Sequence, residues 1–207
     1  MIDHKLDEIT ITKDVLDAVQ PYNVVKGWES KDACVENFKD EIKPKLMRNQ
    51  NGKCAFCGLP LADRNPEIEH IAPKGGERRT LHPECTFLPL NLVYACHHCN
   101  STTCKGQIDT VESKSGDYRT WSFKLVHPYL DDPADFFEFD ESGTIIPLPK
   151  QEFEADDSRR KKALFTIKLF GLDRESTLFE LAKQIEAEKD TARIQARIKQ
   201  ISQYSGR

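Results

Sequence analysis

Four cysteines in the sequence have the spacing of zinc ligands. Cys54 and Cys57 form one pair, Cys96 and Cys99 form another, and each pair encloses two residues. That gap lets both thiolates of a pair reach one tetrahedral ion, so two such pairs predict a zinc site rather than core cysteines or a redox pair. Because four thiolates leave no open coordination position, we expect this zinc to stabilise the fold and to take no part in chemistry.

The stretch between the cysteine pairs holds side chains suited to phosphodiester hydrolysis. Glu69 directly precedes His70, and carboxamides follow at Asn91 and Asn100. A catalytic Mg²⁺ or Mn²⁺ ion prefers oxygen ligands, here the Glu69 carboxylate and the Asn100 amide oxygen, and it would polarise the phosphate. An imidazole titrates near working pH, so neutral His70 can take a proton from water while Asn91 holds its ring by a hydrogen bond. Nearby cations are expected to contact phosphates: Lys74, Arg78, Arg79 and Lys105.

A break in the backbone is needed to bring these side chains together. Adjacent residues of a strand point to opposite faces, so Glu69 and His70 can share a site only at a strand end or bulge. Residues 73–76, Pro-Lys-Gly-Gly, supply such a break. We therefore expect the site at the end of a short strand.

The joint pattern of these residues resembles the HNH nuclease family. In that family two zinc knuckles bracket an acid-His-Ile-x-Pro strand, a middle Asn-Leu and a Cys-x-x-Cys-Asn that leads into a helix. The resemblance covers about residues 51–106 and implies a ββα-metal fold. By resemblance, Glu69 is the ligand of the catalytic ion, His70 the general base, Asn91 the residue that orients it, and Asn100 the third position of the motif.

Motifs beyond this core resemble the PtuB nucleases of Septu and retron-Septu anti-phage systems. They lie at residues 127–133, 137–139, 143–145 and 166–173. The resemblance implies an effector nuclease that works with an ABC-type ATPase, PtuA. The sequence contains no G-x-x-x-x-G-K-[ST] motif, so ATP binding is expected of that other chain. The acidic segment 126–157 and the long C-terminal helix are the predicted docking surfaces.

Two other functions are compatible with the same residues. A zinc-ribbon-like module would bind nucleic acid or protein without cutting it, and an RNase of the HNH type would use the same site on RNA. Cleavage at a backbone phosphate does not itself distinguish DNA from RNA, and no base-reading element is recognisable. DNA is the predicted substrate on the ground of family resemblance.

Composition supports a local rather than a global attraction to nucleic acid. The net charge is −4, yet residues 43–106 carry nine Lys and Arg against five Asp and Glu. Residues 126–157 carry ten acidic residues against Lys150 alone, and they can equally face a protein. Seven cysteines without a secretion signal or an apolar run of membrane length predict a cytoplasmic protein with reduced thiols, among them the unpaired Cys34, Cys85 and Cys104.

The expected fold class is α+β, a small zinc-bound ββα-metal core with helical additions at both ends. Residues 1–50 form an N-terminal helical segment in which Asp32 precedes a helix that buries Val35, Phe38, Ile42 and Leu46, with Pro44 bending or ending it. Residues 51–106 form the nuclease core, and residues 107–157 form an acidic loop and strand region with one strand expected at residues 144–146. Residues 158–207 form C-terminal helices, of which the first is ended by Gly171. The second is expected from Asp173 or Ser176 to about Gln203 and carries one apolar stripe: Leu178, Leu181, Ile185, Ile194, Ile198 and Ile201.

Overall fold

The computed structural model describes residues 4–62, 64–139, 145–148, 157–174, 190–192 and 194–195. Within them the chain mixes helices and short strands, in agreement with the predicted α+β class. The α-helices are α1 (Lys13–Val19), α2 (Ala33–Asn49), α3 (His97–Asn100) and α4 (Asp157–Phe170). The strands are β1 (Glu67–His70), β2 (Gly75–Gly76), β3 (Arg79–Thr80), β4 (Leu92–Ala95), β5 (Val111–Ser113), β6 (Ser122–Phe123), β7 (Phe137–Phe139) and β8 (Ile145–Pro147). They pair antiparallel as β1 with β4, β2 with β3, β5 with β6 and β7 with β8.

Helix α2 carries the buried face that the sequence predicts. Asp32 precedes its first residue, and Val35, Phe38, Ile42 and Leu46 are all buried. These side chains pack with Phe87 and Leu92 of the segment that contains β4. Pro44 lies inside the helix and does not end it, because burial of Leu46 beyond it outweighs the hydrogen bond that proline cannot donate.

Strands β1 and β4 form the pair on which the site is built. Their register places Glu67 opposite Ala95 and His70 opposite Leu92. Cys96 alone separates β4 from helix α3, which packs against both strands. The buried Gln50 side chain accepts a hydrogen bond from the Tyr94 backbone N–H at 2.7 Å and donates one to the Tyr94 carbonyl at 2.8 Å. These two hydrogen bonds connect the C-terminal end of α2 to β4.

Hydrophobic packing crosses the segment boundaries suggested by the sequence. The Phe56 ring, between the first two cysteines, stacks on Phe170 of α4 with centroids 4.3 Å apart. Leu125 and Tyr129 belong to the same buried cluster as the four paired cysteines. The β1–β4 pair is therefore surrounded by residues from before, within and after the predicted nuclease core.

The C-terminal part follows the predicted pattern as far as it is described. Helix α4 covers nearly the predicted residues, and Gly171, with φ of +60°, ends it in the left-handed conformation that glycine favours. The strand expected at residues 144–146 is observed as β8. The second helix, predicted from Asp173 or Ser176 to about Gln203, lies mostly outside the described residues, as do Leu178, Leu181, Ile185, Ile198 and Ile201 of its stripe. Among the residues described, no helix has the length and apolar character needed to cross a membrane.

Candidate active site

The four paired cysteines converge on one point. Cys54, Cys57, Cys96 and Cys99 are buried, and their sulfurs lie within 4.8 Å of one another. The Cys57 and Cys96 sulfurs are 3.9 Å apart, close to the separation of about 3.8 Å that follows from tetrahedral bonds of about 2.3 Å to zinc. The Cys96 backbone N–H points at the Cys54 sulfur at 3.3 Å, as a thiolate ligand requires. This group could therefore hold one zinc ion.

Glu69, His70 and Asn100 line one cavity of about 270 Å³. Glu69 and His70 are the last two residues of β1, and Asn100 is the last residue of α3. The chain leaves the strand at Ile71, whose N–H donates to the Asn91 carbonyl at 2.8 Å. Because the strand ends there, both neighbouring side chains reach the same cavity.

His70 has a fixed orientation and a neutral ring. Its Nε2 lies 3.0 Å from the Thr86 carbonyl oxygen, which can only accept, so Nε2 carries the proton and Nδ1 the lone pair. Burial, reinforced by the positive charge of Lys105, lowers the pKa of His70 to about 3. The Trp28 indole stands edge-on to the ring with centroids 4.9 Å apart. The imidazole is thus uncharged at neutral pH.

Asn91 does not hold the His70 ring, contrary to the expectation from sequence. Its Nδ2 donates to the carbonyls of Ala72 at 3.0 Å and Cys85 at 2.9 Å. Its Oδ1 accepts from the Ala72 N–H at 2.6 Å and from the Tyr118 hydroxyl at 2.8 Å. These four bonds occupy the fully buried amide. Asn91 therefore fixes the backbone that follows β1, and the Thr86 carbonyl takes the role of orienting the ring.

Asn100 is oriented by a residue that sequence reasoning missed. Its Nδ2 donates to Glu67, an acceptor-only carboxylate, so the amide oxygen faces away from Glu67 and is left for another partner. Glu67 also forms a hydrogen bond with His97 Nδ1 at 3.0 Å, so this exposed histidine pairs with the carboxylate that orients Asn100 and is not part of the four-cysteine cluster. Strand periodicity could have identified Glu67 as a site residue, because it lies two residues before Glu69 and therefore on the same face of β1.

The structure also corrects the expectation that Lys105 contacts phosphate. Its side chain is 0% exposed and its Nζ pairs with Glu69, so it is placed to balance the carboxylate charge and not to contact phosphate. Burial raises the pKa of Glu69 although Lys105 acts in the opposite direction. The position of Lys105 depends on the turn at residues 101–107, whose geometry the spacing from Asn100 did not reveal.

The other predicted phosphate ligands differ in position. Lys74 lines the cavity, with its Nζ 2.6 Å from Glu29 Oε1 and 3.3 Å from the Val25 carbonyl. Arg78 and Arg79 are exposed at the β2–β3 hairpin and are not among the residues that line the cavity. Of the four predicted phosphate ligands, Lys74 is thus the one that lines the cavity.

No family model matches the chain. Septu protein PtuB of Bacillus mycoides (strain KBAB4) is 30% identical over 173 residues, which make up 74% of this chain and 55% of that protein. The CRISPR-associated endonuclease Cas9 of Corynebacterium diphtheriae is 39% identical over 56 residues, 27% of this chain and 5% of that protein. Septu protein PtuA of the same Bacillus mycoides strain is 24% identical over 156 residues, 69% of this chain and 20% of that protein.

These similarities agree with the two resemblances inferred from sequence. The chain is homologous to PtuB along most of its own length, and its similarity to an endonuclease fits an HNH nuclease-like protein. It spans about half the length of PtuB and smaller shares of the other two proteins.

Proposed function

We propose that this chain, a homologue of Septu protein PtuB, is a metal-dependent HNH endonuclease that hydrolyses phosphodiester bonds of DNA. We further propose that it is the effector nuclease of an anti-phage system and works with a PtuA-like ABC-type ATPase. One observation carries the proposal: Glu69, His70 and Asn100 line a single cavity at the end of β1. The PtuB and Cas9 similarities support the same reaction class.

His70 is the general base. Its Nδ1 lone pair accepts a proton from the water that attacks phosphorus, while the Thr86 carbonyl keeps the other nitrogen protonated. A low pKa secures the lone pair but weakens the base. A phosphate entering the cavity brings negative charge that acts to raise the pKa of the imidazole, whereas a divalent ion at Glu69 would act in the opposite direction.

Glu69 and the Asn100 amide oxygen are the residues that would hold Mg²⁺ or Mn²⁺. Such an ion supplies Lewis-acid stabilisation of charge on the phosphate and on the leaving oxygen. A carboxylate has two oxygens and about four acceptor positions, so the Lys105 contact at Glu69 Oε1 leaves Oε2 for another partner. Glu67 accepts a hydrogen bond from the Asn100 amide nitrogen, which leaves the amide oxygen available as a ligand.

Cleavage by the purified protein tests the assignment. The wild type is incubated with plasmid, phage DNA and tRNA, with Mg²⁺ or Mn²⁺, in the presence and absence of a PtuA-like partner. We expect DNA cleavage that needs the added ion and is lost in His70→Ala with zinc content unchanged. Equal cleavage by His70→Ala, or none by the wild type under any condition, favours a zinc-ribbon binding module, and cleavage of tRNA alone favours an RNase.

A further inference from the structure

A second cavity of about 480 Å³ adjoins the site and extends it toward helix α2. It shares Glu69, His70, Lys74 and Asn100 with the first cavity. Its other wall is formed by Trp28, Lys39 and Lys43, from the N-terminal segment that precedes the cysteine pairs. The site therefore continues as a groove across the face of α2.

Two lysines of α2 are placed to meet a charged ligand in this groove. Lys39 and Lys43 are four residues apart, so they lie on one helix face with a rise of about 6 Å between them. Lys39 Nζ stands 5.4 Å from the Trp28 ring centroid, which holds the ammonium against the groove wall. Their acidic partners, Glu36 and Asp40, are neighbours on the same helix.

The Lys43–Asp40 ion pair is easily exchanged for a phosphate, whereas the Lys39 side chain is only 12% exposed. Lys43 lies 3.2 Å from Asp40, and their side chains are 44% and 73% exposed. Exposed pairs three residues apart contribute little, typically below about 1 kcal/mol, so a phosphate can replace the carboxylate at small cost. The groove is also lined by one further cation, Lys74, and by two carboxylates, Glu67 and Glu69. A divalent ion at Glu69 would therefore leave the lining with a net positive charge.

We infer that Lys39 and Lys43 form a phosphate-binding wall of the substrate groove, along which the sugar-phosphate backbone of a nucleic-acid strand runs from the scissile position. The inference rests on the proposed function for its substrate class. Flexible lysine side chains on one helix face reach neighbouring phosphates without reading bases. Lys39 and Lys43 thus make the phosphate contacts that the sequence assigned to Lys105, whose side chain is buried.

Salt-dependent binding tests the inference. A short fluorescein-labelled DNA duplex, the single strand and an RNA of the same sequence are titrated with the full chain, in the His70→Ala background that keeps the strand intact. The slope of log K against log salt is negative, and each lost phosphate contact lowers its magnitude by about 0.9 for duplex DNA. We expect Lys39→Gln/Lys43→Gln to lower that magnitude by about 2. Lys13→Gln is the control and should leave the slope unchanged, because Lys13 forms a similar exposed pair with Asp17 on α1 but does not line the groove.

The outcomes separate this inference from the proposed function. An unchanged slope in the double variant, or no binding of any probe by the parent protein, overturns the inference. A lowered slope supports it even if the wild type cuts nothing, and then the nuclease proposal alone fails. Zinc content and circular dichroism verify the fold, and Lys43→Gln, at a side chain that is already exposed, replaces the double variant if that one unfolds. The probe that shows the lowered slope identifies duplex, single strand or RNA as the ligand.

Discussion

At the scale of single residues, the contact between Lys105 and Glu69 explains how a carboxylate can lie buried beside His70, the proposed general base. Lys105 is fully buried and its ammonium touches Glu69 Oε1. Two desolvated charges gain little from meeting each other, but the loss of one partner leaves the other uncompensated. Lys105 is therefore a condition for a charged Glu69 in this cavity.

Replacement of Lys105 by methionine is expected to reduce the free energy of unfolding by about 3 kcal/mol, because it leaves a buried carboxylate without a partner. The pKa of Glu69, already raised by burial, then rises further and neutralisation limits the loss. Urea denaturation of Lys105→Met, Glu69→Gln and the double variant measures the coupling. The double variant is expected to be more stable than Lys105→Met; strictly additive losses would contradict the pairing.

The two carboxamides Asn91 and Asn100 are expected to respond differently to truncation. Asn91→Ala removes four buried hydrogen bonds and should cost about 3 kcal/mol of stability. Asn100→Ala removes a half-exposed side chain and should cost less than about 1 kcal/mol while it abolishes metal-dependent cleavage. Urea denaturation and cleavage rates are measured on both variants. If the Asn91→Ala variant were as stable as the wild type but inactive, Asn91 would have a direct role in catalysis and the structural role assigned here would be wrong.

At the scale of elements, a chain of buried hydrogen bonds connects the backbone after β1 to the segment around β5 and β6. The Tyr129 N–H donates to His127 Nδ1 at 3.2 Å, so His127 Nε2 carries the proton and donates to the Tyr118 oxygen at 3.1 Å. The Tyr118 hydroxyl in turn donates to Asn91 Oδ1. Residues outside the 51–106 core thus hold the loop that positions His70.

This chain of bonds predicts a loss of stability in mild acid. Burial lowers the pKa of His127 well below its usual value, so the native ring stays neutral. Below about pH 6.5 the unfolded chain takes up a proton that the native state does not, and stability falls by up to about 1.4 kcal/mol per pH unit for this group.

The free energy of unfolding is therefore compared at pH 7 and pH 5.5 for the wild type and His127→Gln. The wild type is expected to lose about 1 kcal/mol more than the variant across this interval. His70, which is also buried and neutral, contributes equally to both proteins and cancels in the difference. Identical losses would show that His127 is accessible to protons in the native state.

At the scale of the whole molecule, sequence predicted the features that depend on local spacing. The cysteine pairs, the buried face of α2, Gly171 and the strand that ends at His70 each follow from periodicity or ligand geometry over a few residues. Contacts between distant segments were not predictable in this way. Trp28 beside His70, the Thr86 carbonyl on Nε2 and the burial of Lys105 arise only when elements far apart in the chain pack together.

Part of the acidic segment 126–157, the predicted docking surface, already forms ion pairs within the fold. Asp131 Oδ2 pairs with Lys162 of α4 at 2.5 Å, and Asp135 lies 4.0 Å from Arg159. Helix α4 in turn stacks Phe170 on Phe56, which lies between Cys54 and Cys57. Deletion from residue 158 would therefore damage the four-cysteine cluster as well as any partner surface, so it cannot separate the two effects.

Deletion of residues 175–207 is the sharper test of partner docking, because it keeps α4 and its contact with Phe56. If the C-terminal segment carries the docking surface, the shortened chain retains its zinc and its urea transition but no longer co-purifies with a PtuA-like ATPase. The matched control reverses charge at Asp132, an exposed position of the acidic segment, by Asp132→Lys in the full chain. Loss of association only in Asp132→Lys moves the docking surface to the acidic segment, and unchanged association in both proteins excludes residues 175–207 and the surface around Asp132.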